Sequence, residues 1–179
     1  MAIIELILRN LLGFEKRQSS SDWLRHHTNT KISSKIQKLE SNGKLTHTQL
    51  LSKMSLGEII TMINESIRVR SKIFALQHFD FKNYESSNRN YYIDTPKKTK
   101  FSNDNKAEIV MYLLLSIRNR CFHWENLLKT RVNKNKVYPR ITTKFRGTMV
   151  GIAPQNIELF LDDVLKSFDN ELLELIAGE

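Results

Sequence analysis

A single cysteine, Cys121, is the only thiol among 179 residues, which rules out an internal disulfide and a cysteine-built zinc cluster. A reducing, cytoplasmic setting is therefore expected. Proline and glycine are scarce, three and six, and their scarcity leaves long stretches free to be helical. No uncharged apolar run is long enough to span a bilayer, so a soluble chain without a membrane partner is expected. The apolar opening, residues 1–14, is interrupted by Glu5 and Arg9 and lacks the basic leader and cleavage site of a signal peptide. His26, His27 and His47 have no companion ligands at metal spacing. Phosphate-binding Gly-rich loops and nucleophile elbows are also missing. No metal and no cofactor are expected.

What is present is a globular composition, 40% hydrophobic, with a formal charge of +9 and a pI near 9.7. That charge fits a polyanionic partner, or else a lysine-rich composition with no special purpose. Hydrophobic periodicity marks five helices. The first carries Ile3, Ile4, Ile7, Leu8, Leu11 and Leu12 and stops near Gly13; the second covers residues 28–41, with Ile32, Ile36 and Leu39 as its stripe. Ser55-Leu56-Gly57-Glu58 has the form of a capping box and opens a third, running to about residue 77. A polar, tyrosine-bearing loop covers residues 79–101. The fourth helix runs from Asn103-Asp104 to about residue 128, and Pro154 suits the first turn of a fifth. The expected fold is all-α: a single domain over residues 1–179, a bundle of about five helices with a basic loop before the last. Residues 1–45 form N-terminal helices packing on it and resembling nothing placed. Strand signal is confined to short extended pieces around residues 137–142.

The fourth helix breaks its own pattern. Val110, Leu114, Ile117, Cys121, Trp124 and Leu128 form one narrow apolar seam. Ser116, Asn119 and His123 fall opposite, beside Tyr112, Leu115 and Phe122, so the helix is apolar nearly all round through its first half and is expected to be buried. Polar groups left unpaired in such a place cost about 1–3 kcal/mol each. Arg118, Asn119, Arg120 and His123 thus stand out as a local inconsistency of the kind that marks functional sites.

The run Ile117-Arg118-Asn119-Arg120-Cys121-Phe122-His123-Trp124-Glu125 resembles the Arg-Asn-x-x-x-His signature of HEPN ribonucleases, and within them the abortive-infection (Abi-like) branch. The stretch Leu50-Leu51-Ser52-Lys53-Met54-Ser55-Leu56-Gly57-Glu58 is similar to an upstream segment of the same proteins. The two cover residues 50–128, and the fifth helix fits the family's closing helix. The resemblance implies a metal-independent endoribonuclease leaving a 2′,3′-cyclic phosphate. Arg118 would hold the phosphate with a planar cationic fork, and His123 would exchange protons near neutral pH. Asn119 would orient the imidazole or hold the backbone of the site. Five residues apart, Arg118 and His123 point about 140° from each other on a helix, so one copy makes a sparse site. The family's answer is a homodimer with a composite active site. Its biological setting is a toxin in phage defence or in a toxin–antitoxin pair, restrained by an antitoxin RNA or protein. The alternatives are a non-catalytic HEPN module that binds RNA or a partner protein, and a plain structural role with Arg118 on the surface and His123 in the core.

Residues 126–157 contain no acidic side chain. Lys129, Arg131, Lys134, Lys136 and Arg140 are candidate RNA-binding residues, with Lys144 and Arg146 nearby, and salt-sensitive binding is expected of them. Arg120 either touches RNA or lies on the surface. Tyr138 and Phe145 either stack on unpaired bases or belong to the core.

Overall fold

The computed structural model describes residues 1–168 apart from 18, 19, 21, 134 and 135, and the backbone alone at 133 and 136. Residues 2–69 form one compact unit and residues 70–168 another.

The first unit is helical. Helix α1 (Ala2–Arg17) buries Ile4, Leu8, Leu11 and Leu12. It continues past Gly13, where a Cβ would stand 3.0 Å from Leu51 Cδ2, so this glycine permits a close helix approach instead of a stop. Arg9 ties α1 to the chain beyond by donating to the Met54 carbonyl, 3.1 Å. Helix α2 (Thr30–Leu39) starts at Asn29, whose side chain accepts from the Lys31 amide, and buries Ile32 and Ile36. Helices α3 (His47–Ser52) and α4 (Leu56–Asn64) each open on a capping box, Thr46 with Gln49 and Ser55 with Glu58. The expected third helix is broken. After α4 the chain restarts as α5 (Ile67–Ile73), and the Ser66 hydroxyl accepts from the Val69 amide at 3.4 Å. Serine at such a restart offers the backbone a local partner that a helix interior does not need.

The second unit overturns the all-helical expectation. Among the described residues it holds six strands in three two-stranded antiparallel sheets. They are β1 (Tyr91–Asp94) with β2 (Lys97–Lys100), β3 (Thr130–Asn133) with β4 (Lys136–Pro139), and β5 (Ile141–Phe145) with β6 (Thr148–Ile152). The basic segment before the last helix is thus two hairpins, not a loop. Its β-branched side chains, Val132, Val137, Ile141, Thr142, Thr143, Val150 and Ile152, favour a pleated backbone. Arg146 and Gly147 both take positive φ, 43° and 82°, the turn that matches strand twist in a two-residue hairpin. An isolated hairpin is marginal in water, and β5–β6 gains stability by burying Ile141, Phe145, Val150 and Ile152.

Helix α6 (Asn103–Phe122) is the spine of this unit. A capping box of Ser102 and Asn105 starts it, one residue earlier than expected. Asn103 holds the chain before it instead, accepting from the Leu76 amide and donating to the Phe74 carbonyl. Arg70 closes on Asp104 with two guanidinium hydrogen bonds, 2.5 and 2.8 Å. An aromatic cluster of Phe79, Phe81, Tyr84 and Phe160 lies beside another of Tyr92, Phe101 and Phe145. Pro154 opens a 3₁₀ turn (Pro154–Asn156) that leads into α7 (Ile157–Lys166), whose buried face is Ile157, Phe160 and Val164. Leu172, Leu175 and Ile176, which repeat in the sequence at the same helical period, lie outside the described residues. Among the described residues no helix is long and apolar enough to cross a membrane.

Candidate functional site

Helix α6 changes character along its length. From Ala107 to Ile117 it buries Ile109, Val110, Met111, Leu113, Leu114 and Ile117 almost completely. Its last turn emerges into solvent: Asn119, Cys121, Phe122 and His123 are exposed, and Arg118 and Arg120 are half-buried. The apolar seam therefore holds for Val110, Leu114 and Ile117 and fails beyond them. Trp124 is 94% exposed and Leu128 68% exposed. The helix also ends earlier than the sequence implied, at Phe122 with His123 as its C-cap.

That ending has a specific geometry. The Trp124 amide donates to the Cys121 carbonyl at 3.2 Å, and the Glu125 amide to the Arg120 carbonyl at 2.9 Å. These are the paired bonds of a Schellman cap, whose C′ residue must be left-handed and is usually glycine. Here tryptophan fills the position, with φ 53°. A side chain in that region costs roughly 1–2 kcal/mol, and such strain gathers at functional sites.

Arg118 and His123 do not converge within one chain. The Arg118 Cζ lies 4.9 Å from the centroid of the Phe122 ring, and the His123 ring meets the same phenyl edge-on at 5.4 Å. Phe122 is thus a common neighbour of both. Among the described residues the imidazole has no hydrogen-bond partner, so both ring nitrogens are available to a ligand. Asn119 contributes its carbonyl, which accepts from the His123 amide at 3.0 Å. That bond is the ordinary i to i+4 bond of the helix backbone, and among the described residues the exposed Asn119 side-chain amide makes no hydrogen bond, to the imidazole or to the backbone.

No family model matches this chain, and neither a curated protein nor a solved structure does. The site must be read from its own atoms.

The expected RNA-binding side chains fall into two groups. Arg120 is paired with Glu125 and donates to the Arg140 carbonyl at 3.4 Å, while Arg140 reaches Glu125 at 3.9 Å. These two arginines share one carboxylate and fasten the helix end to the start of β5. Sequence reasoning missed Glu125, although a signal existed: it is the sole acidic residue between Glu108 and Glu158. Lys129 and Arg131 are exposed, before and within β3, and form no ion pair among the described residues. Lys136 lies in β4, and Lys134 lies outside the described residues. The two aromatics part company: Phe145 is buried in the core and Tyr138 is 42% exposed. Among the described residues no three of His, Cys, Asp and Glu gather to hold a metal ion.

Chemically, the helix end offers a permanent planar cation, an accessible imidazole and two exposed aromatic side chains, Phe122 and Trp124. Such a set can bind a phosphodiester and move a proton on it. It has no activated nucleophile of its own.

Proposed function

We propose that the chain is a metal-independent endoribonuclease of the HEPN, Abi-like type, working as a homodimer in the reducing interior of the cell. The observation that carries this is the set Arg118, Asn119 and His123 held on one solvent-facing helix end, next to a segment without acidic side chains. Support comes from these side chains and not from the architecture, because the three hairpins lie outside the all-helical plan that the resemblance implies.

In the proposed reaction one imidazole takes the proton of a ribose 2′-OH. The 2′ oxygen attacks phosphorus, the bond to the 5′ oxygen breaks, and a second imidazole protonates that leaving oxygen. Arginine forks neutralise the charge that builds on the phosphoryl oxygens. A single chain supplies one Arg and one His, on either side of Phe122, so the full set requires two copies. A symmetric pairing would also cover Phe122 and Trp124, whose exposure of 66% and 94% is unusual for such large apolar side chains. The biological role that fits is a toxin of phage defence or of a toxin–antitoxin pair, restrained by an RNA or a protein.

A second hypothesis, a non-catalytic HEPN module binding RNA or a partner, is favoured by one observation: the Arg118 guanidinium rests on Phe122. Incubating the purified protein with end-labelled RNA in EDTA tests both. Cleavage with 2′,3′-cyclic phosphate ends is the expected result. Intact RNA, or cleavage that EDTA abolishes, would sink the metal-independent nuclease.

A further inference from the structure

The second unit contains a cleft of about 590 Å³ between the β3–β4 hairpin, the β5–β6 hairpin and the segment leading into β1. We infer that this cleft takes one nucleotide with an unpaired base. The inference extends the ribonuclease proposal by naming a second point of contact, but binding there needs none of the chemistry at His123.

The cleft is built rather than incidental. Its floor is Asn88, 4% exposed, whose side-chain amide donates to the carbonyls of Phe81 and Gly151 at 2.8 and 2.7 Å. The same side chain accepts from the Gly151 amide at 2.9 Å, so both donors and one acceptor site of the floor are fixed. The two hairpins meet there only because Gly151 has no side chain. A Cβ would stand 2.7 Å from Pro139 Cγ and 3.1 Å from Thr142 Cγ2. Thr148 joins β6 to β1 by donating to the Tyr91 carbonyl at 3.2 Å. Preformed, partly apolar clefts of this size are typical of small-ligand sites.

The walls select the ligand. Arg89 and Arg131 both line the cleft, and among the described residues neither forms an ion pair. The Arg131 guanidinium has only a 3.5 Å contact to the Thr142 hydroxyl, at the limit of a hydrogen bond. The Arg89 Cζ lies 5.9 Å from the Tyr91 ring centroid, a contact that takes none of its N–H groups. Two forks without a carboxylate call for an anion with several oxygens, as a phosphate has. Glu85 stands in the same wall, accepting from the Ser87 amide and hydroxyl at 3.2 and 3.1 Å. A bare anion gains nothing from that carboxylate, whereas the exocyclic amine of a base donates to it. Tyr138 and Met149, 42% and 51% exposed, add a flat and a soft apolar surface on which a base stacks. Anion, donor edge and flat ring together describe a nucleotide better than an acidic peptide, which has no ring and would meet Glu85 with like charge.

The test is fluorescence anisotropy of the full chain with a labelled 2′-O-methyl oligoadenylate ten-mer, which no 2′-OH-dependent nuclease can cut. Binding is therefore read whether or not the protein cleaves RNA. Arg89→Ala/Arg131→Ala is expected to weaken binding at least 10-fold. Lys31→Ala/Lys38→Ala, which removes equal charge from exposed positions on α2, is expected to change it no more than 2-fold. Equal losses in the two variants would overturn the inference, as would competition by hexaglutamate as effective as that by unlabelled ten-mer. Should the alanine variant melt early, Arg89→Lys/Arg131→Lys carries the test with its charge intact. A loss of 3-fold or more supports the cleft, and full affinity overturns it. Adding 5′-AMP then separates the sources: displacement of the ten-mer marks a site for free nucleotides, and no displacement a site for a nucleotide within a strand.

Discussion

The two ends of α6 are made by different physics. Its first four turns are held by burial, with Ile109, Val110, Met111, Leu113 and Leu114 all at 0% exposure. The last turn is held by its cap, and the side chains it presents, Phe122, His123 and Trp124, are exposed. In a packed segment a side chain is fixed by its neighbours, so its identity is a matter of shape. In an uncovered segment it is free to meet a ligand, and its identity is a matter of chemistry. One continuous helix thus carries both the anchor of the unit and its candidate site.

Substitutions can break this contrast or sharpen it. His123→Ala should reduce RNA cleavage about 10²- to 10⁴-fold, the usual contribution of a general acid or base. It should leave the melting temperature unchanged, because the ring buries nothing. A protein equally active after the change would remove His123 from the chemistry, and one inactive both before and after would favour the binding module. Leu114→Ala, two and a half turns earlier, should do the reverse by opening a cavity, costing about 2–5 kcal/mol of unfolding free energy in a urea titration. Trp124→Gly should relieve the left-handed strain and raise stability by about 1 kcal/mol, while weakening dimerisation measured by sedimentation. A destabilised Trp124→Gly protein would mean that the indole is packed after all. Ser102→Ala, which removes the cap at the buried end, should cost about 1 kcal/mol in the same titration.

The helical unit of residues 2–69 adds a pH dependence that the helix end does not require. Burial holds His27 and His47 below their ordinary value near 6.5. The unfolded chain then binds more protons than the folded one in the window below 6.5. Their contribution is complete above that value and is lost as pH falls through and below it. Glu40 and Glu58 titrate at lower pH, both held below the usual carboxylate range. For Glu40 the leading cause is the Arg25 hydrogen bond. For Glu58 burial is the largest influence and opposes the shift, but Lys35 and the amide and hydroxyl of Ser55 outweigh it together. A melting temperature lower at pH 5.5 than at 7.5 is expected by scanning calorimetry, and a flat profile across that range would contradict it.

Much of the helical content was legible because its signals are local. The Ser55 and Glu58 capping box lies within four residues, and the face Ile157, Phe160 and Val164 repeats at the helical period. Arg118, Asn119 and His123 were equally visible as polar intruders on an apolar helix, although they lie in the open and not, as expected, on a buried face. The hairpins were not legible in the same way. Residues 130–152 mix lysines and arginines with isolated β-branched side chains, and among the described residues no strand there exceeds five residues. The ion pair of Arg120 with Glu125 depends on where the helix ends, and the periodicity of the seam placed that end six residues too late.

By itself the sequence determined the central turns of α1, α2, α4, α6 and α7 and the chemical set at the end of α6, since hydrogen bonds and stripes of period 3.6 join residues only a few positions apart. Tertiary structure decided that residues 130–152 pair as strands, that Phe145 turns inward while Tyr138 stays out, and that Gly151 lets two hairpins close on a cleft. Each of those outcomes depends on a partner distant in the chain, whose surface must be present before burial can favour one arrangement over another.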